Sequence, residues 1–312
     1  MYKSKKVAVV IPAYNVQKQI TKLITSLPRY LDKIIVIDDK SRDNTKKIVL
    51  GLKKKYKKLH LIEHAKNQGV GGAIASGFLW CRDHNIDIAV VMDGDGQMLA
   101  KDLPAIITPV AKNECDFTKA NRLISGDAFK KIPKLRYFGN SVLTFFTKIA
   151  SGYWYVMDSQ AGYRAINKKL LHSISWEKTY KRYGQPNDLL VRLNVYNARV
   201  RDVPIEPTYG IGEKSGIKIR KVFFTISFLL IKMFLWRMKE KYIIRDFHPL
   251  VFFYFFGFVL GTISFILLVR QISFWPRIPE FNFLTMMFCA ITSIQFIIFG
   301  MWFDMEYNKD LK

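Results

Sequence analysis

Two carboxylates, Asp93 and Asp95, close the apolar run at Val90 to Met92, each followed by glycine, in the stretch VVMDGDGQM. The chain around them carries a formal net charge of +24. Concentrated acid in so basic a protein needs a reason. An Asp-Gly pair can simply make a turn. Two hard oxygen ligands at this spacing can also hold a divalent cation, and a cation there would hold a phosphate. A calcium loop opening D-x-D-G is excluded. It needs Asp or Asn at its fifth position, Gly at its sixth and Glu at its twelfth, where this chain has Gln97, Met98 and Pro104.

The acids must be presented by regular elements. The runs VAVVI (7–11), KIIVI (33–37), LHLIE (59–63) and DIAVVM (87–92) read as strands. Helical spacing of apolar residues marks 17–27, the segment that Ser41 is placed to cap, 69–84 and 103–111. Continuous apolar strands alternating with helices predict an α/β fold with a mainly parallel sheet. Ligands bind beyond the carboxyl ends of such strands. Pro12-Ala13-Tyr14-Asn15, Asp38-Asp39 and Asp93-Gly94-Asp95-Gly96-Gln97 follow the first, second and fourth strands and so share one edge. Gly69-Val70-Gly71-Gly72 lacks the GK[ST] ending of a phosphate loop and reads as a helix start packed closely on the sheet.

The three cysteines, Cys81, Cys115 and Cys289, are far apart and form no metal-binding pattern. The apolar run near the N-terminus ends at Pro12 and is too short for a signal peptide. Pro249 to Val269 and Phe281 to Phe303 are uncharged and long enough to span a bilayer. Ahead of them, Val222 to Ile231 is flanked by basic residues and predicts an amphipathic helix in the membrane interface. Lys232, Arg237, Lys239, Lys241 and Arg245 precede the first span, whereas the link, which holds Trp275, carries Arg270 and Arg277. That bias predicts cytoplasmic termini and an integral, multi-pass membrane protein. Anionic membrane lipids, rather than nucleic acid, then account for much of the lysine excess. The expected division is a catalytic domain over 1–215, a juxtamembrane segment over 216–247, a hairpin of two spans over 248–304 and a tail over 305–312.

The ordered set VVIPAYN, VIDDKSRDNT, NQGVGGAIASG and VMDGDGQ resembles the family 2 glycosyltransferases over about the first 215 residues. The DGDGQ form and the C-terminal hairpin are similar to the polyprenyl-phosphate glycosyltransferases, dolichol-phosphate mannose synthases among them. The resemblance implies a glycosyltransferase A-type, Rossmann-like α/β domain followed by an interfacial helix and two transmembrane helices. It implies a nucleotide-sugar donor (UDP- or GDP-linked), a polyprenyl phosphate acceptor and a Mg²⁺ or Mn²⁺ cofactor. By the same resemblance Pro12, Tyr14 and Asp39 hold the nucleotide's base and ribose, and Val16 stands where many relatives carry glutamate. Asp93 lies near the ribose and diphosphate, and Asp95 and Gln97 are metal ligands. Arg122, with Arg136 as a second arginine, meets the diphosphate and the acceptor phosphate. MDSQAGYRAI (157–166) lies beside the acceptor, and Lys214, Ser215 and Lys218 sit in a basic loop over the diphosphate.

A lipid phosphate is already an anion and can attack the anomeric carbon directly, whereas a sugar hydroxyl needs a general base. Asp188 and Asp158 are the candidates for that base, and each is equally readable as a structural acid paired with an arginine. Single displacement inverts the anomeric centre. Two alternatives stand beside the lipid-phosphate reading. One is transfer to a hydroxyl of a glycolipid or polysaccharide in cell-envelope glycan synthesis. The other is a non-catalytic, membrane-anchored nucleotide-sugar-binding subunit. The identity of the sugar and self-association as a homo-oligomer are left open.

Overall fold

Branched apolar residues dominate Val7–Ala13 (β1), Lys33–Asp38 (β2), Leu59–Glu63 (β3) and Ile88–Val91 (β4). Side chains alternate along such a strand, so each strand feeds two cores. Val7, Val9 and Ile11 enter one core with α1 (Ile20–Ser26), α2 (Thr45–Lys55) and α4 (Leu103–Ala111). Ala8, Val10, Ile35 and Ile37 enter the other with α3 (Val70–Asp83). Each fully buried Val, Ile or Leu contributes about 1.5–3 kcal/mol, which makes these strands the rigid frame for whatever their ends carry.

The structure is a computed structural model that describes residues 1–124, 134–206, 219–273 and 280–312, without the side chains of residues 135–136 and 219–223. Phe117–Asn121 (β5), Arg164–Asn167 (β6) and Val200–Pro204 (β7) complete a sheet that, among the described residues, runs β3-β2-β1-β4-β6-β5-β7. The β1–β2, β1–β4, β2–β3 and β5–β7 pairs are parallel; β6 runs antiparallel to both of its neighbours. That reversal sets Arg164 opposite Val91, directly before the acidic stretch. Helices Lys134–Ser151 (α5), Lys168–Ser173 (α6) and Gln185–Val195 (α7) follow along the chain, and α6 and α7 close the second core.

One local expectation changes and another gains a second partner. Ser41 does not cap α2: the helix starts at Thr45 with Asn44 at the cap position, and Ser41 Oγ instead accepts from the Asn15 N–H at 3.1 Å. The start of α3 joins the core under β1 and β2 through Val70, Ala73 and Ile74, and its glycines also admit a loop. A Cβ at Gly71 would fall 2.3 Å from the Tyr180 carbonyl, and one at Gly69 2.6 Å from the Lys181 carbonyl. It is Gly77, further along, that brings α3 against Val10.

The described residues form two compact units, 1–234 with Leu311–Lys312, and 235–310. The long helix α8 (Ile219–Lys239) runs from one into the other. Within the first unit it buries Ile226, Leu229, Leu230 and Met233 and exposes Phe224, Phe228 and Ile231. A Cβ at Gly184 would lie 2.6 Å from Leu229, so this helix packs on the domain along one face.

In the second unit a π-helical turn, Glu240–Arg245, leads to α9 (Leu250–Ser273) and α10 (Glu280–Tyr307), both long and apolar enough to cross a membrane. Trp275 and Arg277 of the link lie outside the described residues. The two helices approach through Gly257 and Gly261: a Cβ at either would fall 2.8 Å from Ile297 or Ser293, and Ser293 Oγ donates to the Gly257 carbonyl at 2.7 Å. Small residues four apart allow such close backbone approach. The Arg237 guanidinium donates to both oxygens of Asp304, at 2.8 and 3.0 Å, fully buried.

Candidate active site

The ends of the parallel strands are laced to one another. The Asp39 N–H donates to the Ala13 carbonyl at 2.9 Å and the Gly94 N–H to the Pro12 carbonyl at 3.2 Å. The end of β1 therefore carries the β2 loop on one side and the β4 loop on the other. Around them opens a cavity of about 670 Å³, lined by Pro12, Tyr14, Val16, Asp39, Asp93 and Asp95 among others. The three strand ends expected to share an edge do so.

Asp39 is a hub rather than a bare acid. It is buried, and its Oδ1 accepts from Gln68 N–H at 2.8 Å and lies 2.7 Å from His64 Nδ1. Its Oδ2 accepts from Gly69 N–H at 2.7 Å. A carboxylate only accepts, so His64 Nδ1 carries the hydrogen. Ser76 Oγ meets His64 Nε2 at 2.9 Å. The carboxylate thus holds the turn before α3 and retains one acceptor position on Oδ2, and Asp39 is among the residues that line the cavity.

The acidic stretch is shaped by its backbone. Gly96 takes φ +79°, and the Gln97 N–H donates to Asp95 Oδ1 at 3.0 Å, closing a tight turn. Gln97 reaches Asp95 through its backbone and is not among the cavity-lining residues. Burial, and then the neighbouring Asp95, push the Asp93 carboxyl well above the usual carboxylate range, while Arg164 and Arg122 pull it back. Arg164 is itself buried, and burial lowers its guanidinium to about 10 against the attraction of Asp93. Two carboxylates that resist sharing one site, backed by two guanidinium groups, form a donor set that fits a hard divalent cation. Among the described residues no cluster of three acid, His or Cys ligands exists, so any further ligand would come from amide, water or phosphate oxygen.

Arg122 and Asp158 stand behind this wall. Arg122 Nε and Nη2 donate to Asp158 at 2.8 and 3.1 Å, and the Arg122 N–H adds a third bond at 3.1 Å. Burial alone would raise the Asp158 carboxyl; the Arg122 guanidinium outweighs it and holds the group below the usual carboxylate range. Asp188 opens α7, also buried. Its Oδ2 accepts from Arg192 Nε at 2.9 Å and from the Tyr180 N–H at 3.0 Å. Neither acid lines the cavity. Lys214, Ser215, Lys218 and the Arg136 side chain lie outside the described residues.

The cavity also holds residues that sequence reading passed over: Asn67, Asp43, Lys18, Arg182 and Tyr183. Arg182 and Tyr183 arrive on the loop that docks against Gly69 and Gly71. The glycines announced a close approach; its partner is distant in sequence and left no local signal.

A parallel sheet with one reversed strand, carrying a nucleotide-sized acidic cavity at its carboxyl edge, defines a glycosyltransferase A-type fold. The solved glucosyl-3-phosphoglycerate synthase from Mycobacterium tuberculosis, in complex with Mn²⁺, uridine diphosphate and glucosyl-3-phosphoglycerate, shares this fold with a TM-score of 0.55 at 17% identity, over 75% of this chain and 80% of that one. The sequence model of glycosyl transferase family 2 matches residues 8–175, and the chain belongs to that family. It is 33% identical over 218 residues to the UDP-N-acetylglucosamine–dolichyl-phosphate N-acetylglucosaminyltransferase of Methanococcus voltae, covering 66% of this chain and 86% of that protein. It is 28% identical over 220 residues to the undecaprenyl-phosphate mannosyltransferase of Micrococcus luteus, covering 68% and 88%. The protein is a glycosyltransferase.

Proposed function

We propose that this enzyme moves a sugar from a UDP- or GDP-linked donor to a polyprenyl phosphate at the cytoplasmic face of a membrane. Residues 1–215 act as the catalytic domain and a divalent cation, Mg²⁺ or Mn²⁺, is held by Asp93 and Asp95 with Gln97. One observation carries the acceptor assignment. Both candidate bases, Asp158 and Asp188, are buried, paired with arginines, and absent from the cavity lining. A hydroxyl acceptor would need such a base; a phosphate monoester does not. Polyprenyl phosphates are named as acceptors for both relatives above, and α9 and α10 supply two candidate membrane spans. The exposed Phe224, Phe228 and Ile231 of α8 suit a face resting in the membrane interface.

In this reading Asp39, Pro12 and Tyr14 hold the nucleoside. A lipid phosphate oxygen attacks the sugar's anomeric carbon opposite the leaving group. The new carbon–oxygen bond forms as the bond to the diphosphate breaks, and the nucleoside diphosphate leaves with the bonding pair. The configuration inverts. When bound, the cation offsets the negative charge that gathers on the leaving diphosphate. Asp158 fixes the plane of the Arg122 guanidinium, and that preorganised positive charge favours the anionic reactants.

The test offers purified full-length enzyme a panel of labelled nucleotide-sugars with polyprenyl phosphate, the matching polyprenol, or a glycolipid. Label should enter lipid only with the phosphate. Transfer to the alcohol or the glycolipid would replace this reading with hydroxyl transfer. Donor binding without turnover on any acceptor would indicate a non-catalytic subunit.

A further inference from the structure

Arg182 belongs to no motif recognised above, yet the fold works to place it. Its loop is seated on the start of α3, where Gly69 takes φ +85° and a Cβ would fall 2.8 Å from Arg182 Cδ. The Gly72 N–H donates to the Lys181 carbonyl at 3.2 Å, which fixes the loop's height above the helix. Gly69 therefore stands between two polar groups: its N–H is bonded to Asp39 Oδ2 and its Cα faces Arg182. Asn67 spans the same gap. Its Nδ2 donates to the Asp39 carbonyl at 3.0 Å, and its Oδ1 lies 3.5 Å from Arg182 Nη1. Arg182 and Lys18 are the two cations among the cavity-lining residues, which include four aspartates.

The edge so built has a definite hydrogen-bonding character. Asp39 has spent both acceptor positions of Oδ1, on His64 and Gln68, and one of Oδ2, on Gly69. It can take one more N–H and no second. Beside it Arg182 can only donate. One acceptor flanked by a donor matches a cyclic imide edge, an N–H next to a carbonyl. A base seated with its ring nitrogen at Asp39 must carry a hydrogen there, which adenine and cytosine lack. Guanine offers an N–H and a carbonyl, but also an amino group next to the N–H. With Oδ1 saturated, that amino group finds no second acceptor on Asp39.

Building on the nucleotide-sugar reading, we propose that Arg182 is a nucleobase-binding residue that donates to a base carbonyl next to the N–H taken by Asp39, so that the enzyme selects a uridine diphosphate donor.

The test is equilibrium binding of UDP, GDP, CDP, ADP and inorganic pyrophosphate to the full-length protein, with Arg182→Ala and Arg182→Lys beside the unaltered chain. UDP should bind about tenfold or more tighter than the other three nucleotides. Arg182→Ala should weaken UDP by about tenfold, the worth of one charge-assisted hydrogen bond, and leave pyrophosphate binding unchanged. Arg182→Lys should recover part of the loss. In turnover, Arg182→Ala should raise the donor KM and leave kcat within about twofold. The Arg182 side chain is exposed, so the unfolding midpoint should not move. Equal or tighter binding of GDP overturns this proposal alone. So does an Arg182→Ala protein that holds UDP normally, or one that loses pyrophosphate as much as UDP, which would make Arg182 a phosphate contact. No binding of any nucleotide overturns the nucleotide-sugar reading as well.

Discussion

The Cα of Gly162 faces the carboxylate of Asp93 so closely that a Cβ there would lie 2.8 Å from Asp93 Oδ2, and equally close to Met98 Cε. The reversed strand β6 begins two residues later, at Arg164. Gly162 is therefore what lets the β6 entry press against the acidic stretch. Gly162→Ala should displace the Asp93 carboxylate and lower transfer by about 100-fold, the usual penalty for misplacing an active-site group by an ångström. Steady-state rates beside an unchanged circular dichroism spectrum check this.

Asp95 belongs to the pair that fits a divalent cation. Asp95→Ala should cut transfer by more than about 100-fold while the protein still folds and inserts. A chelator should silence the unaltered enzyme, and added Mg²⁺ or Mn²⁺ should restore it. Near-normal turnover by Asp95→Ala would remove the metal site from the account.

Buried Asp188 and half-buried Arg192 form an i,i+4 pair that also fastens the Tyr180 loop. Asp188→Asn should keep substantial activity with polyprenyl phosphate and cost about 1–3 kcal/mol of stability, read as a lower unfolding midpoint. Collapse of kcat with intact donor binding would instead make Asp188 a base and favour a hydroxyl acceptor.

For Asp158 the stability effect should depend on pH with a definite sign. Its carboxyl is held below the ordinary 3.8 of a free aspartate, with burial opposing and Arg122 prevailing. A depressed folded value stabilises fully above the unfolded value and is lost as pH falls through the folded one. Unfolding midpoints of the unaltered chain and Asp158→Asn should therefore differ at pH 6 and converge below the ordinary carboxylate value. A constant gap would mean the ion pair is not its source.

Much of this architecture could be read from residues alone, and the failures have physical causes. The strands β1, β2 and β4 announce themselves because both faces are buried, leaving nearly unbroken apolar runs. By contrast, β5 reads FTKAN yet is wholly buried. Lys119 and Asn121 are satisfied there by Asp202 of the adjacent β7, at 3.3 and 2.9 Å. Polar residues that pair across two strands erase the apolar signal of both. At the site, Asp39, Asp93 and Asp95 were legible because each follows an obvious strand. Arg182 was not, since its position depends on a loop meeting Gly69 from more than a hundred residues away. The commitment of Asp158 and Asp188 to arginines was equally hidden, because residue type alone does not separate a paired acid from a base.

The most direct test of the account is the product balance of a reaction between nucleotide-sugar and polyprenyl phosphate, with the lipid analysed by mass spectrometry and the nucleotide by chromatography. The expected product is a lipid phosphate heavier by one sugar residue, with one nucleoside diphosphate released per lipid formed. Release of a nucleoside monophosphate with a lipid carrying an added sugar phosphate, or sugar attached to lipid that lacks phosphate, would contradict it.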